Sequence, residues 1–350
     1  METAFLHCGV TGLRKTNFTK ATAFTPHRHH VRSRNLQVKR RRYSPPSMVW
    51  KPQGLLQEAV EIQKLQVELM EETLTERPDH PINTRRAFYA PKTDHRFSQA
   101  LRRRDGTLSI VAAVKRMQPM PVGEKPEAVA ELEDLPLDTR ALECNGADAA
   151  LVYTDAMRYG IALTELPGIA KELKGSTTDF GMPIARHDLI IDPVQIAEAG
   201  ECGACAVTIV AGAVLPDLLE LLNAATAMGM ETIVECHTEL ELDLAMECGA
   251  TIVFLTNFDR TRNQLVPGTA EKLVQDVPPW VLKLGGGGIE DARTCWNYLD
   301  AGFNGVVLGR CLLRSRRPSG FMSEIRSQKR VTGDIFSGAF GKPFSEEFEM

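Results

Sequence analysis

Residues 281–313 read VLKLGGGGIEDARTCWNYLDAGFNGVVLGRCLL. Two short apolar runs flank an amphipathic stretch, and each run ends in glycine: the first in GGGG at 285–288, the second in Gly309 followed by Arg310. A strand, a helix and a second strand in this order predict two parallel strands joined by a right-handed crossover. Because each glycine costs backbone entropy on folding, four in a row at a strand end indicate a role beyond the fold.

The alternation of strands and helices continues towards the N-terminus. Eight short apolar runs rich in strand-forming residues are separated by amphipathic stretches of helical period. Eight such units in about 210 residues fit a closed (β/α)8 TIM barrel, whose usual span is ~200–250 residues. An open doubly wound sheet is the alternative. The runs lie at 108–114, 149–154, 183–186, 205–210, 232–235, 252–255, 281–284 and 305–308.

The loops after the last two strands are predicted to bind phosphate. In (β/α)8 barrels these loops, with a short helix that follows, commonly hold a phosphate group. Glycine lets backbone N–H groups approach the anion, and a helix N-terminus favours its charge. A flexible turn is the alternative interpretation of the glycines. We predict a phosphorylated small molecule as the ligand, and we assign no cofactor and no metal.

The N-terminal segment differs in charge from the rest of the chain. Residues 1–46 carry ten Lys and Arg against Glu2 alone, a net charge of +9, so the remainder carries −13 of the total of −4. The segment has no apolar secretory core, and its basic, Thr-rich composition is typical of an organelle transit peptide. We predict a plastid transit peptide over 1–48 and localisation in the chloroplast stroma. A mitochondrial leader and a basic RNA-binding arm are the alternatives.

Three further segments follow the predicted leader. Apolar residues at helical spacing over 53–76 and a shorter helix at 97–104 predict an N-terminal helical extension over 49–105. The barrel is placed at 106–317 and a C-terminal tail at 318–350. The tail is expected to dock either on the barrel or on a protein partner, because it interleaves Gly and Ser with four aromatic residues, Phe336, Phe340, Phe344 and Phe348.

Composition excludes several classes of protein. The chain is 43% hydrophobic and 25% charged, as in ordinary globular proteins, and it has no apolar run of about eighteen residues to span a membrane. The acidic body argues against binding of duplex nucleic acid. Eight scattered cysteines exclude a small disulfide scaffold. The single C-x-x-C of Cys202 and Cys205 lacks the second ligand pair of a metal site, so we predict free thiols in a reducing compartment.

Three motifs carry a resemblance to a known family. They are IIDPVQI at 190–196, VECH at 234–237, and the glycines at 287–288 and 309. With the helices before the barrel, they make 53–313 similar to the indole-3-glycerol phosphate synthases. The resemblance implies a barrel whose N-terminal extension covers the catalytic face. It also implies a lyase of tryptophan biosynthesis that closes an indole ring on a phosphorylated carboxyphenylamino-deoxyribulose, with loss of CO₂ and water.

Only part of that family's site carries over to this sequence. Lys115, Gly288 and Gly309 match family positions on the phosphate side, and Glu235 is also kept. The ring-closing side is mostly replaced, since His187 stands where the family has its general-acid lysine. The other departures are Ala113 for a glutamate, Thr256 for an asparagine, Phe258 for an arginine, Gly286 for a glutamate, and Gly287 and Arg310 for serines.

We therefore predict a degenerate catalytic set of Lys115, His187 and Glu235. Glu235 alone is equally consistent with a structural carboxylate in a barrel mouth. The predicted phosphate ligands are Lys115, Gly287, Gly288, Gly309 and Arg310.

Two functions are compatible with this pattern. The first is a catalytically degraded barrel, a pseudoenzyme that keeps a phosphate-ligand site and acts in the plastid as a binding, scaffold or regulatory protein. The second is a divergent but active synthase, a carbon–carbon lyase of the indole-3-glycerol phosphate synthase type, or an enzyme that acts on a related sugar phosphate. The loss of several members of a coupled catalytic unit is not repaired by one substitution, which favours the first.

Overall fold

The computed structural model of the chain describes residues 51–88, 90, 92–174 and 181–330. Eight parallel strands form a closed barrel in which each strand pairs with the next along the chain and the eighth pairs with the first. The predicted (β/α)8 fold is thereby confirmed. The strands are β1 (Ser109–Val114), β2 (Ala149–Tyr153), β3 (Ile184–His187), β4 (Ala206–Val210), β5 (Glu231–Cys236), β6 (Ile252–Thr256), β7 (Leu282–Gly286) and β8 (Gly305–Leu308).

The strands form close to where the apolar runs predict them, because a strand covered on both faces reads as a continuous apolar stretch. The main difference is at β7, which was expected to end at 284. Gly285 pairs with Val306 and Gly286 with Val307, so two of the four consecutive glycines belong to the sheet. A Cβ at Gly285 would lie 2.2 Å from the ring of Tyr298. Packing therefore accounts for part of the glycine run that sequence reasoning assigned to ligand binding.

Helices cover the outside of the barrel and precede it. Short hairpins follow β1 (Met117–Gln118 with Glu127–Ala128) and β6 (Phe258–Asp259 with Gln264–Leu265). The helices are α1 (Gly54–Thr75), α2 (Pro81–Ala87), α3 (Arg96–Ala100), α4 (Leu135–Asn145), α5 (Ala156–Tyr159), α6 (Leu166–Leu173), α7 (Pro193–Glu201), α8 (Ala211–Val214), α9 (Leu218–Ala227), α10 (Glu239–Glu247), α11 (Thr269–Leu273), α12 (Ala292–Ala301), α13 (Arg310–Leu313) and α14 (Pro318–Ile325).

The N-terminal extension is helical, as predicted, and its first helix rests on the loop after β6. The N–H of Leu55 donates to the carbonyl of Thr261 over 3.0 Å. Gly54 has φ +55°, and a Cβ there would lie 2.3 Å from the Thr261 oxygen, so only glycine allows this close approach. Leu56 and Val60 are buried on the barrel-facing side of α1. The extension thus reaches the carboxyl ends of the strands.

Several helices escaped the sequence analysis, and one of them moves the barrel boundary. The Asp134 carboxylate accepts the N–H of Leu137 and caps α4, in a stretch to which no helix was assigned. α14 lies within the segment predicted to be tail. Its Met322 and Ile325 are fully buried, and the carbonyl of Ile325 accepts the indole N–H of Trp296 at 3.1 Å. The barrel shell therefore continues through α14 rather than ending at 317.

Several sequence predictions concern other parts of the chain. The leader at 1–48 and the four phenylalanines of the tail lie outside the described residues. Within the described residues, no helix is long and apolar enough to cross a membrane. Cys202 is half-buried and Cys205 is buried, and neither forms a disulfide, as predicted. Burial raises the pKa of Cys205 to about 12.

Candidate functional site

A pocket opens at the carboxyl ends of the strands, which we call the barrel mouth. Side chains alternate along each strand, so the last inward positions of several strands surround it. Its lining includes Lys115 after β1, Gly287 and Gly288 after β7, and Gly309 and Arg310 after β8. The structure therefore brings the five residues predicted as phosphate ligands together on one pocket.

Gly287, Gly288 and Gly309 form one side of this pocket, which we call the glycine wall. Gly287 has φ +89° and Gly288 φ +79°, a region that other residues rarely adopt. A Cβ at Gly287 would lie 2.9 Å from the backbone nitrogen of Asn257. Gly309 differs, because a Cβ there would make only an ordinary 3.5 Å contact with Lys115 Cε. The backbone requires glycine at 287 and 288, whereas Gly309 leaves space on the pocket side.

Lys115 stands beside the glycine wall without an anionic partner. Its amine lies 4.9 Å from the ring centroid of Tyr153 and 5.8 Å from that of Tyr159. No carboxylate oxygen of the described residues comes within ion-pair distance of it. Burial, reinforced by the nearby guanidiniums of Arg260 and Arg310, lowers the pKa of Lys115 to about 8. A lysine in such surroundings exchanges its proton near neutral pH.

Arg310 lines the pocket, but its guanidinium is already engaged. It donates to both carboxylate oxygens of Glu127 at 2.8 and 3.0 Å, and Glu127 belongs to the hairpin after β1. Gln118 donates to the same carboxylate at 3.0 Å. The fork of donors expected for a phosphate therefore faces a carboxylate of the protein, and a phosphate at Arg310 must compete with Glu127.

Four side chains opposite the glycine wall form a second group, which we call the Arg260 cluster: Arg260, Glu235, His187 and Tyr159. The Arg260 guanidinium donates to both oxygens of Glu235, through Nε to Oε1 and through Nη2 to Oε2 at 2.9 Å. It also donates to the Tyr159 hydroxyl at 2.7 Å and lies 3.0 Å from Nε2 of His187. A guanidinium held in this way is fixed by bidentate geometry.

Arg260 separates the retained carboxylate from the pocket. Arg260 lines the pocket that contains Lys115, whereas Glu235 and His187 do not. Glu235 faces a different cavity of about 310 Å³, which Leu56 of α1 also lines. The predicted catalytic set of Lys115, His187 and Glu235 is therefore split by a side chain that lies between its members.

Protonation in the Arg260 cluster follows from this pairing. Burial alone would raise the pKa of Glu235, but Arg260 and His187 outweigh it and hold the pKa of that carboxyl well below its usual range. Burial also lowers the pKa of His187, against the opposing effect of Glu235. Nε2 of His187 lies 3.0 Å from the Arg260 guanidinium, which can only donate, and 3.1 Å from Oε2 of Glu235, which can only accept, so its role depends on the tautomer of the ring. Nδ1 of His187 is buried and has no partner among the described residues.

Sequence reasoning missed Arg260 and the two tyrosines. The family arginine maps to position 258, where this chain has a phenylalanine, and Arg260 two residues later supplies a guanidinium to the mouth. An available signal was the spacing, since residues two apart in an extended segment point the same way. Within the described residues, no group of three His, Cys, Asp or Glu side chains could hold a metal ion.

Comparison with known proteins agrees with this barrel fold. The family model described as indole-3-glycerol phosphate synthase matches residues 57–325, and the chain belongs to that family of (β/α)8 proteins. The match runs through α14, consistent with the position of that helix in the barrel shell.

Individual relatives are similar to this chain over most of their own length. It is 29% identical over 233 residues to the indole-3-glycerol phosphate synthase of Opitutus terrae, covering 66% of this chain and 85% of that protein. It is 32% identical over 224 residues to that of Chloroherpeton thalassium, with 63% and 82% covered. Among solved structures, 3-hexulose-6-phosphate synthase from Salmonella typhimurium is similar at 14% identity and a TM-score of 0.49, covering 63% of this chain and 97% of that one.

Proposed function

We propose that this chain binds a phosphorylated small molecule at the barrel mouth but does not close the indole ring, and that it acts in a plastid as a binding, scaffold or regulatory protein. The observation that carries the proposal is the pairing of both Glu235 oxygens with Arg260. Ring closure needs a general acid and a general base in contact with the substrate. The family carboxylate is instead committed to a guanidinium.

The residue at the family's proton-donor position is also placed unfavourably for catalysis. His187 replaces the family's lysine, its side chain is 1% exposed, and its Nε2 lies between Arg260 at 3.0 Å and Glu235 at 3.1 Å. Ala113, on β1, supplies no carboxyl group in place of the family's glutamate. A phosphate, by contrast, requires only positive charge and close backbone approach, which Lys115 and the glycine wall provide.

A steady-state assay with the family substrate tests the catalytic half of this proposal. We expect no measurable formation of indole-3-glycerol phosphate by the chain lacking residues 1–48, while a bacterial family member assayed in parallel turns over. Turnover in the usual enzyme range of ~1–10³ s⁻¹ would contradict the proposal.

Thermal unfolding in the presence of inorganic phosphate tests the binding half. A ligand that binds only the folded state at ten times its dissociation constant stabilises it by about 1.4 kcal/mol. We expect millimolar phosphate to raise the melting temperature of the parent protein, and the rise to shrink in Lys115→Ala. If phosphate does not change the melting temperature of the parent at these concentrations, the proposed ligand site is wrong and only a scaffold role remains.

The plastid part of the proposal is supported by the charge break after the first 46 residues and by Pro45 and Pro46. We expect the mature protein to begin between residues 42 and 51. N-terminal sequencing of protein from its native source measures this directly. A mature chain that still begins at Met1 would exclude an organelle leader.

An active synthase is the second candidate, favoured by family membership and by the retained Lys115 and Glu235 near one mouth. It requires Arg260 to leave Glu235 when substrate binds. Complementation of a tryptophan auxotroph by the mature chain separates the two functions. Growth without tryptophan supports the synthase, and no growth from a well-expressed protein supports the binding function.

A further inference from the structure

Lys115 has the surroundings of a nucleophile rather than of a structural cation. Its amine has tyrosine rings on one side and the glycine wall on the other, and no ion pair among the described residues holds it. Lysine amines become reactive towards carbonyl groups when they are desolvated or placed beside other cations. Both conditions occur here, since Arg260 and Arg310 line the same pocket.

We propose that Lys115 forms an imine with a short phosphorylated ketone or aldehyde whose phosphate lies on the glycine wall. This inference rests on the proposed function, because it uses the same phosphate position and names the chemical class of the ligand. A phosphate at Gly309 places the first carbons of its ester beside Lys115, whose Cε is 3.5 Å from the position of a Cβ at Gly309.

The size of the pocket restricts the ligand to a short molecule. Its cavity volume is about 110 Å³, below the ~300–1,000 Å³ of sites for drug-sized ligands. Arg260, paired with Glu235, lines the side of the pocket towards that carboxylate. Three or four carbons with one phosphate match this space better than an aryl sugar phosphate does.

The reaction balances without an oxidant, reductant or cofactor. The neutral Lys115 amine adds to the carbonyl carbon, a C–N bond forms, and the carbonyl oxygen takes a proton. The C–O bond then breaks, both N–H protons leave with that oxygen as one water molecule, and a C=N bond remains. The Tyr159 hydroxyl is a candidate proton donor, because it accepts from Arg260 at 2.7 Å and keeps its own hydrogen.

The charged and titratable groups around the amine set its pH dependence. Arg260 and Arg310 lower the pKa of Lys115, Glu235 and Glu127 oppose them, and the result is a pKa of about 8. Near pH 7.5 this makes the neutral fraction roughly 200-fold larger than for an ordinary lysine of pKa about 10.4. Imine formation should therefore rise with pH around 8, where a surface lysine scarcely reacts.

Borohydride trapping followed by peptide mass mapping tests the proposal. Sodium borohydride adds hydride to a C=N bond and makes the adduct permanent. We incubate the full chain with dihydroxyacetone phosphate, reduce it, and compare labelling of Lys115 with labelling of Lys125, an exposed lysine of the same β1 loop. We expect labelling of Lys115 at least roughly 10-fold above that of Lys125, lost in Lys115→Arg, retained in Lys125→Arg, and suppressed by inorganic phosphate.

Each other outcome has a distinct meaning. If phosphate raises the melting temperature but Lys115 is unlabelled, the imine is wrong and the proposed phosphate binding stands. If neither effect occurs, both proposals fail. If unphosphorylated dihydroxyacetone labels Lys115 as fast as its phosphate does, the amine is reactive but the glycine wall does not recruit the ligand. Labelling spread evenly over surface lysines also overturns the proposal.

Discussion

The two sides of the barrel mouth differ in whether their buried charged side chains are paired. In the Arg260 cluster every charge has a partner: the Arg260 guanidinium is held by Glu235, Tyr159 and His187. On the glycine side, the Lys115 amine faces aromatic rings and backbone, with no ion pair among the described residues. A satisfied cluster stabilises the fold and resists change, whereas an unpartnered cation is free to meet a ligand. Retention of a family residue is therefore weaker evidence for function than its lack of a partner.

The largest effect that tests this comparison is on stability. Arg260→Met removes the bidentate partner of the buried Glu235 carboxylate and leaves it only the His187 contact at 3.1 Å. Breaking a buried ion pair in this way typically costs ~3–5 kcal/mol. We expect the melting temperature to fall by about 10 °C in a domain of this size. Arg262→Met is the matched control, since that side chain is 70% exposed and 3.8 Å from its partner Asp259. A loss below ~1 kcal/mol in Arg260→Met would show that the cluster is not structural.

A second prediction concerns the loss of folding stability at acidic pH. The pKa of Glu235 lies below its unfolded value of about 4.3, so the stabilisation is complete above that pH and is lost as the pH falls further. The stability gap between the parent and Glu235→Gln should therefore narrow by at least ~1.4 kcal/mol from pH 6 to pH 3, the equivalent of one pKa unit. Urea unfolding at each pH measures the gap.

The control for the acid experiment is Glu239→Gln. Glu239 pairs with Lys272 at the surface, where both side chains are more than half exposed. Exposed pairs contribute little, so this variant should track the parent at every pH. An unchanged gap for Glu235→Gln would mean that the carboxylate titrates alike in the folded and unfolded states.

A third prediction addresses the glycine side. Gly309→Val should leave the fold intact, because a Cβ there meets only ordinary contacts, at 3.5 Å from Lys115 and 3.7 Å from Ala113. The added methyl groups occupy the approach to the backbone, so the phosphate-induced rise in melting temperature should disappear. Circular dichroism checks the fold, and Gly320→Ala in α14 is the control. A rise that persists in both Gly309→Val and Lys115→Ala would place the phosphate elsewhere.

The smallest expected effect is at the edge of the mouth. Glu127→Gln should release Arg310, whose guanidinium holds that carboxylate at 2.8 and 3.0 Å. Both side chains are about one-third exposed, so stability should change by less than ~1 kcal/mol. Phosphate affinity should rise two- to fivefold, within ~1 kcal/mol. Isothermal titration calorimetry measures it, and weaker binding would mean that Arg310 contributes only through its pairing with Glu127.

The barrel was predictable from the sequence because its strands are apolar on both faces and its helices are periodic. Local pattern carries that information, and it also identified the glycines, whereas Lys115 was identified through the resemblance to the family. It missed Arg260, because the arginine sits two positions from where the family alignment places it. It also assigned Arg310 to phosphate, since nothing local reveals a carboxylate 183 residues away in the chain that folds against it. Ion pairs between distant loops decide which charged side chains remain free to bind a ligand. Such pairs produce no periodic pattern in the sequence, so they could not be predicted from it.

The contact between Gly54 and Thr261 has a consequence for how occupancy of the mouth could be observed. Thr261 directly follows Arg260, and its carbonyl accepts the Leu55 amide at the first turn of α1. We expect a ligand that draws Arg260 away from Glu235 to shift this peptide, so that the Leu55 amide exchanges its hydrogen with solvent faster. Deuterium uptake at the Leu55 amide would therefore report displacement of Arg260 from Glu235 inside the barrel mouth. A ligand confined to the glycine wall would leave that uptake unchanged.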